Sequence, residues 1–236
     1  MSIKPSLSIN YENPGKAPGR PSVPGFTLIE ILVVISIIVI LFAVGVPLLS
    51  DPANNARKSS ADLLRSTLQQ ARAHSIATGA YTSVLLPTYS ADSESGGRMI
   101  GFAEVEADAT ATAKYKVTRL VQRWTQLPEQ IFFLDRSTVK ISQNTLMDMD
   151  AASQIKAEFQ KKQVACNFIV FAPNGQILQN SSSTTPSKLL VSLGKGTLKN
   201  GSVTTTQRNS NQIVFDVFQI SRLSARVRQI DPKQLQ

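Results

Sequence analysis

The sequence predicts an α+β fold in which a long N-terminal helix packs on a mainly antiparallel β-sheet. Three features of the 236-residue chain predict it. An apolar run occupies residues 26–49, apolar residues then recur at helical spacing up to Gly79, and short strand-like segments separated by turn residues follow. A helix followed by a succession of strands is best accommodated by packing the helix on one face of an antiparallel sheet.

Residues 1–25 precede the apolar run and differ from it in composition. They are rich in Pro, Gly, Ser and Asn, and they carry more basic than acidic residues. The charged residues are Lys4, Lys16 and Arg20 against one acid, Glu12. Such a segment cannot bury enough apolar surface to fold by itself. We therefore place it outside the folded body.

The apolar run, residues 26–49, has 24 residues and a single charge, that of Glu30. At ~1.5 Å per residue, a helix of this length spans the hydrocarbon core of a bilayer. No small-residue cleavage pattern follows it, as one would follow a secretory signal, so we expect it to remain as an anchor. The basic residues before it predict a cytoplasmic N-terminus and an exported C-terminal body.

Glu30 is an acid inside an apolar helix, where a charge costs about 2.5–3.5 kcal/mol on insertion scales. A cut between Gly25 and Phe26 would create an α-amino group about one helical turn from it, and this cation would lie at a similar depth. The alternative is an acid near the interface that reaches headgroup water. Further along, Gly45 and Pro47 predict a kink or a locally loosened helix.

The residues around Glu30 resemble a known signal. The segment Gly25-Phe26-Thr27-Leu28-Ile29-Glu30, followed by ILVVISIIVIL, is similar to the class III signal of type IV pilins and type II secretion pseudopilins. The resemblance implies that a prepilin peptidase cuts after Gly25 and methylates the new amine of Phe26. It also implies that Glu30 pairs with the amine of a neighbouring subunit during filament assembly. Residues 1–25 would then be a prepilin leader peptide, longer than is usual in the family.

Residues 50–79 predict the second, amphipathic half of the helix. Asp51 and Pro52 suit a cap and a first helical position, and Gly79 suits a stop. We expect the apolar stripe between them to pack on the sheet. The stripe comprises Ala61, Leu64, Leu68, Ala71 and either Ser75 or Ile76.

Residues 80–236 predict a β-rich globular domain. The strand-like segments are AYTSVLL, RMIGFAEVE, YKVTRLVQRW, QIFFL, NFIVF, KLLVSLG and QIVFDVFQI. Residues 143–163 are expected to add a short helix. The segment APNG, residues 172–175, is predicted to be a type I turn that joins two strands.

A second resemblance covers this domain. Three segments are similar in order and spacing to the H-type minor pseudopilin and minor pilin family (GspH/FimT), which implies a pilin-like fold. That family has an Ala-Arg pair in the soluble helix, matched by Ala71-Arg72, and a Phe-x-x-x-Gly turn, matched by Phe171 to Gly175. The Gly common in its final hairpin is replaced here by Ala225. The N-terminus and length also resemble prepilin-like proteins of verrucomicrobial multi-gene cassettes. The three segments are residues 61–86, 168–177 and 213–230.

The chain has a formal net charge of +9, which suits a polyanion such as nucleic acid or acidic lipid headgroups, or merely confers solubility. Because the chain has no dense basic run, we favour solubility as the role of this net charge. Near the C-terminus, Arg222, Arg226 and Arg228 lie close together in the sequence. By resemblance to the basic Gly-Arg-x-Arg element of DNA-capturing minor pilins, residues 225–228 hint at phosphate contact. The alternative, which we favour, is a solvated strand edge whose charges deter unwanted pairing.

Motifs for catalysis and cofactor binding are missing from the sequence. It has no Gly-rich phosphate loop, zinc-ligand spacing or Gly-x-Ser-x-Gly elbow. His74 is its one histidine, and Cys166 is its one cysteine, which we expect to be a small buried core residue. We therefore expect no enzyme activity, no catalytic residue, no metal site and no cofactor.

Two non-enzymatic functions follow. The first is a minor pseudopilin or pilin-like structural subunit of a type II secretion or type IV pilus-type filament, anchored in inner-membrane lipid with a periplasmic body. Its partners would be prepilin peptidase and other pilin or pseudopilin subunits. The second is a DNA- or polyanion-binding minor pilin of a surface or competence fibre, with nucleic acid as a partner that we do not favour. A third, simpler interpretation is a membrane-anchored protein that never polymerises.

Overall fold

The computed structural model describes residues 27–45, 52–89, 96–178, 188–205, 208–209, 212–213 and 215–235. Contacts within the chain divide it into two units, residues 1–49 and residues 50–236. The described part of the first unit is one helix, α1 (Leu28–Gly45). The second unit contains a longer helix, α2 (Pro52–Thr78), and a β-rich body.

The helix α1 is apolar around its whole circumference. Every side chain described, from Thr27 to Leu41, is exposed. The hydroxyl of Ser36 donates a hydrogen bond to the carbonyl oxygen of Leu32 at 2.8 Å, so this polar group is satisfied within the helix. Among the described residues, no helix has the length and hydropathy needed to cross a membrane. The predicted kink at Pro47 lies outside the described residues.

The helix α2 is amphipathic, and the predicted cap at Asp51 lies outside the described residues. It begins at Pro52, a residue that suits the first helical position because its missing N–H would be unpaired there anyway. It ends before Gly79, which has φ +68° and donates its N–H to the carbonyl oxygen of Ser75. Ile76 is 51% exposed, so the stripe finishes on Ser75 instead. The buried stripe is Ala61, Leu64, Leu68, Ala71 and Ser75.

The β-rich body also contains a one-turn helix, α3 (Arg136–Val139). Its described strands are β1 (Thr82–Pro87), β2 (Met99–Ala107), β3 (Tyr115–Gln126), β4 (Ile131–Leu134), β5 (Ile155–Phe159), β6 (Lys162–Phe171), β7 (Ile177–Leu178), β8 (Lys188–Lys199), β9 (Ser202–Thr205), β10 (Arg208–Asn209), β11 (Gln212–Ile213), β12 (Phe215–Ser221) and β13 (Val227–Ile230).

These strands form two main sheets, and their pairings are antiparallel. The first sheet has the order β3-β2-β1-β6-β5, with β7 paired to β6, and the second has the order β13-β12-β8-β4, with β9 paired to β8. The strands β10 and β11 pair with each other. The predicted α+β class is confirmed, with two antiparallel sheets where the sequence suggested one.

Three apolar clusters hold these layers together. The largest lies between α2 and both sheets, because Leu64 and Leu68 of α2 share it with Val84 of β1 and Phe218 of β12. A second cluster contains Leu85, Val105 and Cys166 of the first sheet. Since Val84 and Leu85 are successive residues of β1, they point to opposite faces of that sheet. The strand β1 is therefore covered on both faces of the sheet, which explains why each of its residues is buried.

The helix predicted within residues 143–163 is only partly present. Two single-turn 3₁₀ helices, Leu146–Asp148 and Ala151–Ser153, occupy its first half. From Ile155 the prediction was wrong, because the chain enters β5, in which buried and exposed residues alternate. That period of two is the pattern of a strand with one face against a core.

The first sheet curls until its two edge strands approach each other. The indole Nε1 of Trp124 in β3 donates a hydrogen bond of 3.1 Å to the carbonyl oxygen of Glu158 in β5. The rings of Trp124 and Phe159 also pack edge to face, with centroids 6.1 Å apart. We call the line along which β3 and β5 face each other the seam.

Candidate functional site

The predicted processing site lies at the start of the described chain. Gly25 and Phe26 are outside the described residues, and Thr27 is the first residue that the structure describes. The backbone N–H of Glu30 donates to the carbonyl oxygen of Thr27 at 3.1 Å and to its hydroxyl Oγ1 at 3.3 Å. Thr27 is thus placed as the N-cap of α1, with Glu30 at the third helical position.

This arrangement gives Glu30 a local role that sequence reasoning missed. Thr-x-x-Glu is the sequence pattern of a capping box, and an acid in the first turn is favoured by the positive end of the helix dipole. Glu30 is also the one charged residue of residues 27–45. A cation that pairs with it must therefore come from outside this segment.

The three C-terminal arginines lie in and beside the hairpin formed by β12 and β13. Arg222 and Arg226 belong to the connecting turn, and Arg228 lies in β13 opposite Gln219. Arg226 and Arg228 are exposed, whereas Arg222 is half-buried. Because β13 is the edge strand of the second sheet, the structure brings the three arginines to one sheet edge. Within the described part of the chain, no ion pair engages their guanidinium groups.

The turn of this hairpin contains Ala225 in an unusual backbone conformation. Ala225 has φ +53°, a left-handed conformation that glycine adopts without cost and alanine does not. Its N–H donates to the carbonyl oxygen of Ser221 at 2.8 Å, and its methyl group is buried in the cluster beside α2. Packing of the methyl group offsets part of the backbone strain.

The structure assigns His74 to an ion-pair network. Its ring Nε2 lies 2.9 Å from the Glu104 carboxylate, which also binds the Arg119 guanidinium at 2.7 Å. Hydrogen bonds from Arg119 and then from His74 lower the pKa of Glu104 below its ordinary value. The network ties α2 to β2 and β3. The sequence offered no signal for it, because its members are separated along the chain.

Cys166 is fully buried in the second cluster, as predicted. Burial raises the pKa of its thiol to about 12, so at neutral pH the group stays protonated and unreactive. Among the residues that the structure describes, no group of three or more His, Cys, Asp or Glu side chains could hold a metal ion.

The two motifs on which the second resemblance rests contact each other. Arg72 of the Ala-Arg pair donates a hydrogen bond from Nε to the carbonyl oxygen of Gly175, at the end of the Phe-x-x-x-Gly turn. The predicted turn is present, because the N–H of Gly175 donates to the carbonyl oxygen of Ala172 at 2.8 Å, the hydrogen bond of a β-turn. The contact fixes the β6–β7 turn against α2.

Comparison with known proteins identifies the N-terminal signal. The family model of the prokaryotic N-terminal methylation motif matches residues 21–46, a range that includes Gly25, Phe26 and Glu30. The chain is thus pilin-like in its N-terminal segment. None of the curated proteins compared with the chain is significantly similar to it in sequence.

Two crystal structures of the type IV minor pilin FimU from Pseudomonas aeruginosa (strain PAO1) are similar to the chain. The P21 form is 13% identical, covers 78% of this chain and 94% of the FimU chain, and has a TM-score of 0.39. The P65 form is 12% identical, covers 76% of this chain and 96% of the FimU chain, and has a TM-score of 0.37.

Proposed function

We propose that the chain is a minor pilin or pseudopilin, a structural subunit of a type IV pilus-type or type II secretion filament. A prepilin peptidase cuts it after Gly25 and methylates Phe26, and its N-terminal helix then assembles with those of other pilin-like subunits. The observation that carries the proposal is the methylation motif at residues 21–46. Both filament systems use such subunits, and the proposal covers either.

The chemistry of Glu30 supports assembly through α1. An acid in an apolar environment needs a cation, and residues 27–45 contain none. The amine of Phe26 on an adjoining subunit would supply one, and in a medium of low dielectric the attraction between the two charges is strong. Because every other residue of that segment is uncharged, this pair would also set the stagger between neighbouring helices.

The proposed organisation follows from this role. Residues 1–25 are the leader, residues 26–49 anchor the subunit in the inner membrane and assemble it, residues 50–79 continue as the soluble helix, and residues 80–236 form the periplasmic body. Alkaline phosphatase fused after Gln236 should be active, since it requires export. An inactive fusion, with the reporter retained in the cytoplasm, would contradict the topology.

Mass spectrometry of the full chain, expressed with a prepilin peptidase, tests processing. We expect the purified protein to begin at Phe26 and to carry one added methyl group. Gly25→Val should leave the leader attached, because the signal that the chain resembles has glycine at the last leader position. An intact leader on the unmodified chain, in cells whose peptidase processes another substrate, would overturn the proposal.

Glu30→Gln separates a filament subunit from a protein that is only anchored. The variant should be processed and inserted normally, yet be lost from the sheared filament fraction. Ser36→Ala is the matched control, because the Ser36 hydroxyl is already bonded within α1 and its removal should leave incorporation unchanged. Equal incorporation of Glu30→Gln and the unmodified chain would favour an anchor that never polymerises.

A second candidate function is binding of DNA or another polyanion by a minor pilin of a surface fibre. The specific observation in its favour is the exposure of Arg226 and Arg228 beside Arg222 at the edge of the second sheet. The pair Arg226→Gln/Arg228→Gln should weaken salt-dependent DNA retardation, whereas the charge-matched pair Lys140→Gln/Lys199→Gln should not. Equal effects of the two pairs would contradict this function.

A further inference from the structure

One end of the body brings together three segments that are far apart in the sequence. They are the last turns of α2, the β6–β7 turn and the turn after β12. The strand β12 runs alongside α2 in the same direction. Near its start, Asp216 pairs with Arg57 at 3.4 Å. Further along, the ring of Phe218 lies 5.7 Å from the guanidinium carbon of Arg65. The turn after β12 therefore lies beside the last residues of α2.

Hydrogen bonds join the three segments to one another. The Nε atom of Arg72 in α2 donates to the carbonyl oxygen of Gly175 in the β6–β7 turn at 3.1 Å. Directly after this turn, the N–H of Ile177 donates to the carbonyl oxygen of Arg222 at 2.8 Å. Arg222 is the residue that follows β12. We call residues 72–79, 172–177 and 222–226 together the end surface.

Two large apolar side chains of the end surface are exposed to solvent. Leu223 is 71% exposed and Ile76 is 51% exposed, whereas no other large apolar side chain in the described part of residues 52–235 exceeds 38%. The side chain of Ile76 lies against Gly175, because a Cβ atom built on that glycine would be 2.7 Å from its Cδ1. Leu223 follows Arg222, which is bonded to the same turn. Single exposed apolar residues are ordinary, but here two of them share one surface.

The surroundings of these two side chains are basic. Residues 70–79, 172–178 and 221–230 contain four arginines and no Asp or Glu. Glu104 reaches this end of α2, but its carboxylate is held by His74 and Arg119. Within the part of the chain that the structure describes, no ion pair engages any of the four guanidinium groups. The four are Arg72, Arg222, Arg226 and Arg228.

We propose that the end surface docks a second protein, one whose own surface presents apolar side chains among carboxylates. Leu223 and Ile76 would be buried at the centre of the contact, and the arginines would pair with the partner's carboxylates around them. The turns are already fixed by hydrogen bonds, so docking requires little further ordering of the chain. A second copy docked through the same surface would set arginines against arginines, and this repulsion favours a different, acidic partner.

This inference goes beyond the assembly role proposed above, which concerns α1 and Glu30. It differs from polyanion binding as well, because that function gives Leu223 and Ile76 no part. Nucleic acid is held through its phosphates, so loss of an apolar side chain would leave its binding unchanged. A further explanation is that the two side chains are exposed by chance, which predicts no specific contact.

Photocrosslinking of the full chain in its own host cells tests the contact. The photoreactive, apolar residue p-benzoylphenylalanine replaces Leu223 or Ile76, and irradiation should give one discrete protein adduct from both positions. Mass spectrometry should find the crosslink in a segment of the partner that has apolar residues and more acidic than basic ones. An absent adduct, a nuclease-sensitive adduct, an adduct with a second copy of this chain or a basic partner segment would overturn the proposal.

Leu120 is the control position for the photoreactive residue. It is 38% exposed and lies in β3 at the seam, where it lines a cavity of about 540 Å³. The charges lining that cavity balance, because two lysines accompany two acids, so it does not select an acidic partner. The same adduct in equal yield from position 120 would contradict docking at the end surface. The four charged residues are Lys116, Lys156, Asp108 and Glu158.

Charge reversal tests the chemistry of the partner. With the photoreactive residue at position 223, Arg222→Glu/Arg226→Glu should lower the adduct yield roughly tenfold, because carboxylates would then face carboxylates. Exchange of two acids in the crosslinked partner segment for lysine should restore the yield, and failure to restore it would overturn the proposal. Lys140→Glu/Lys199→Glu makes the same change of charge outside the end surface and should leave the yield unchanged.

Ile76→Ser tests the apolar part of the contact. With the photoreactive residue at position 223, it should lower the adduct yield roughly tenfold, whereas Leu120→Ser should not. Urea titrations should show nearly unchanged stability for both variants, because both side chains are exposed, so a lower yield would not reflect misfolding. An equal yield from Ile76→Ser and the unmodified chain would overturn the proposal. Processing after Gly25 should be normal in every variant, so failure of this proposal is distinguishable from failure of the assembly proposal.

Discussion

Arg72 and Gly175 lie 103 positions apart in the sequence, yet the Nε atom of Arg72 donates a hydrogen bond of 3.1 Å to the carbonyl oxygen of Gly175. Gly175 has φ +76°, and a Cβ atom built on it would lie 2.7 Å from Cδ1 of Ile76 and 3.0 Å from the same Nε. Two constraints, conformation and space, therefore act on this glycine. The hydrogen bond from Arg72 holds the β6–β7 turn against the end of α2.

Gly175→Ala should lower the free energy of unfolding by about 2–3 kcal/mol, because it combines left-handed backbone strain with a close contact. Gly79→Ala is the matched control. Gly79 has a similar φ of +68°, but a Cβ atom added there would meet nothing within 4 Å. Urea titrations should show a loss of only about 1 kcal/mol for the control. Equal losses of unfolding free energy in the two variants would mean that the close contact with Ile76 and Arg72 does not add to the destabilisation.

Replacement of Ala225 should reveal two opposing contributions. Ala225→Gly relieves the strain of φ +53° but removes a buried methyl group and adds freedom to the unfolded chain, so stability should change by less than about 1 kcal/mol. Ala225→Val should cost more than about 2 kcal/mol, since a β-branched residue is ill suited to this conformation and the site is packed. Thermal unfolding of both variants checks the prediction. A stable valine variant would contradict the left-handed turn.

The Glu104 network should make stability depend on pH. A carboxyl group whose pKa is lowered by folding contributes stability above its unfolded pKa of about 4.3, and this contribution is lost as the pH falls through the folded pKa. Glu104→Gln should therefore cost about 1 kcal/mol at pH 7, and its difference from the unmodified protein should shrink below about pH 4. Chemical denaturation at each pH measures this. Glu129→Gln, at an exposed turn position, should show no comparable trend.

The thiol of Cys166 should resist alkylation in the native protein. Its pKa is raised to about 12 by burial, and the residue has no exposed surface. Maleimide treatment at pH 8 should leave the native chain unmodified over hours, and full modification should follow in urea, as mass spectrometry would show. Rapid labelling without denaturant would mean that the second cluster opens readily, or that Cys166 is not in it.

The sequence predicted those elements whose own residues carry the signal. The α2 stripe was legible because Leu64, Leu68 and Ala71 recur at helical spacing, and their burial confirms it. The sequence did not decide between Ser75 and Ile76 as the last residue of the stripe, because a serine can be buried when its hydroxyl bonds back to the helix. Here the Ser75 hydroxyl donates to the carbonyl oxygen of Arg72.

The features that were missed have no strong signal within a single segment of the chain. The segment IKAEF of β5 is short, and its apolar and charged residues alternate. It was therefore grouped with the helical residues before it. Ile76 and Leu223 belong to different segments, far apart in the sequence. Only the fold brings the two exposed side chains to one surface, through the contacts of the β6–β7 turn. Similarly, the partners of His74 become visible only once α2 lies on β2 and β3.

The N-cap of α1 has a consequence for the processing of the precursor. The hydroxyl that closes the first turn belongs to Thr27, which follows the Gly25–Phe26 bond. Severing that bond removes no group on which the turn depends, so the precursor and the trimmed form should begin their helix at the same residue. Maturation would thus change the charge at the chain's new end while leaving the shape beside it untouched.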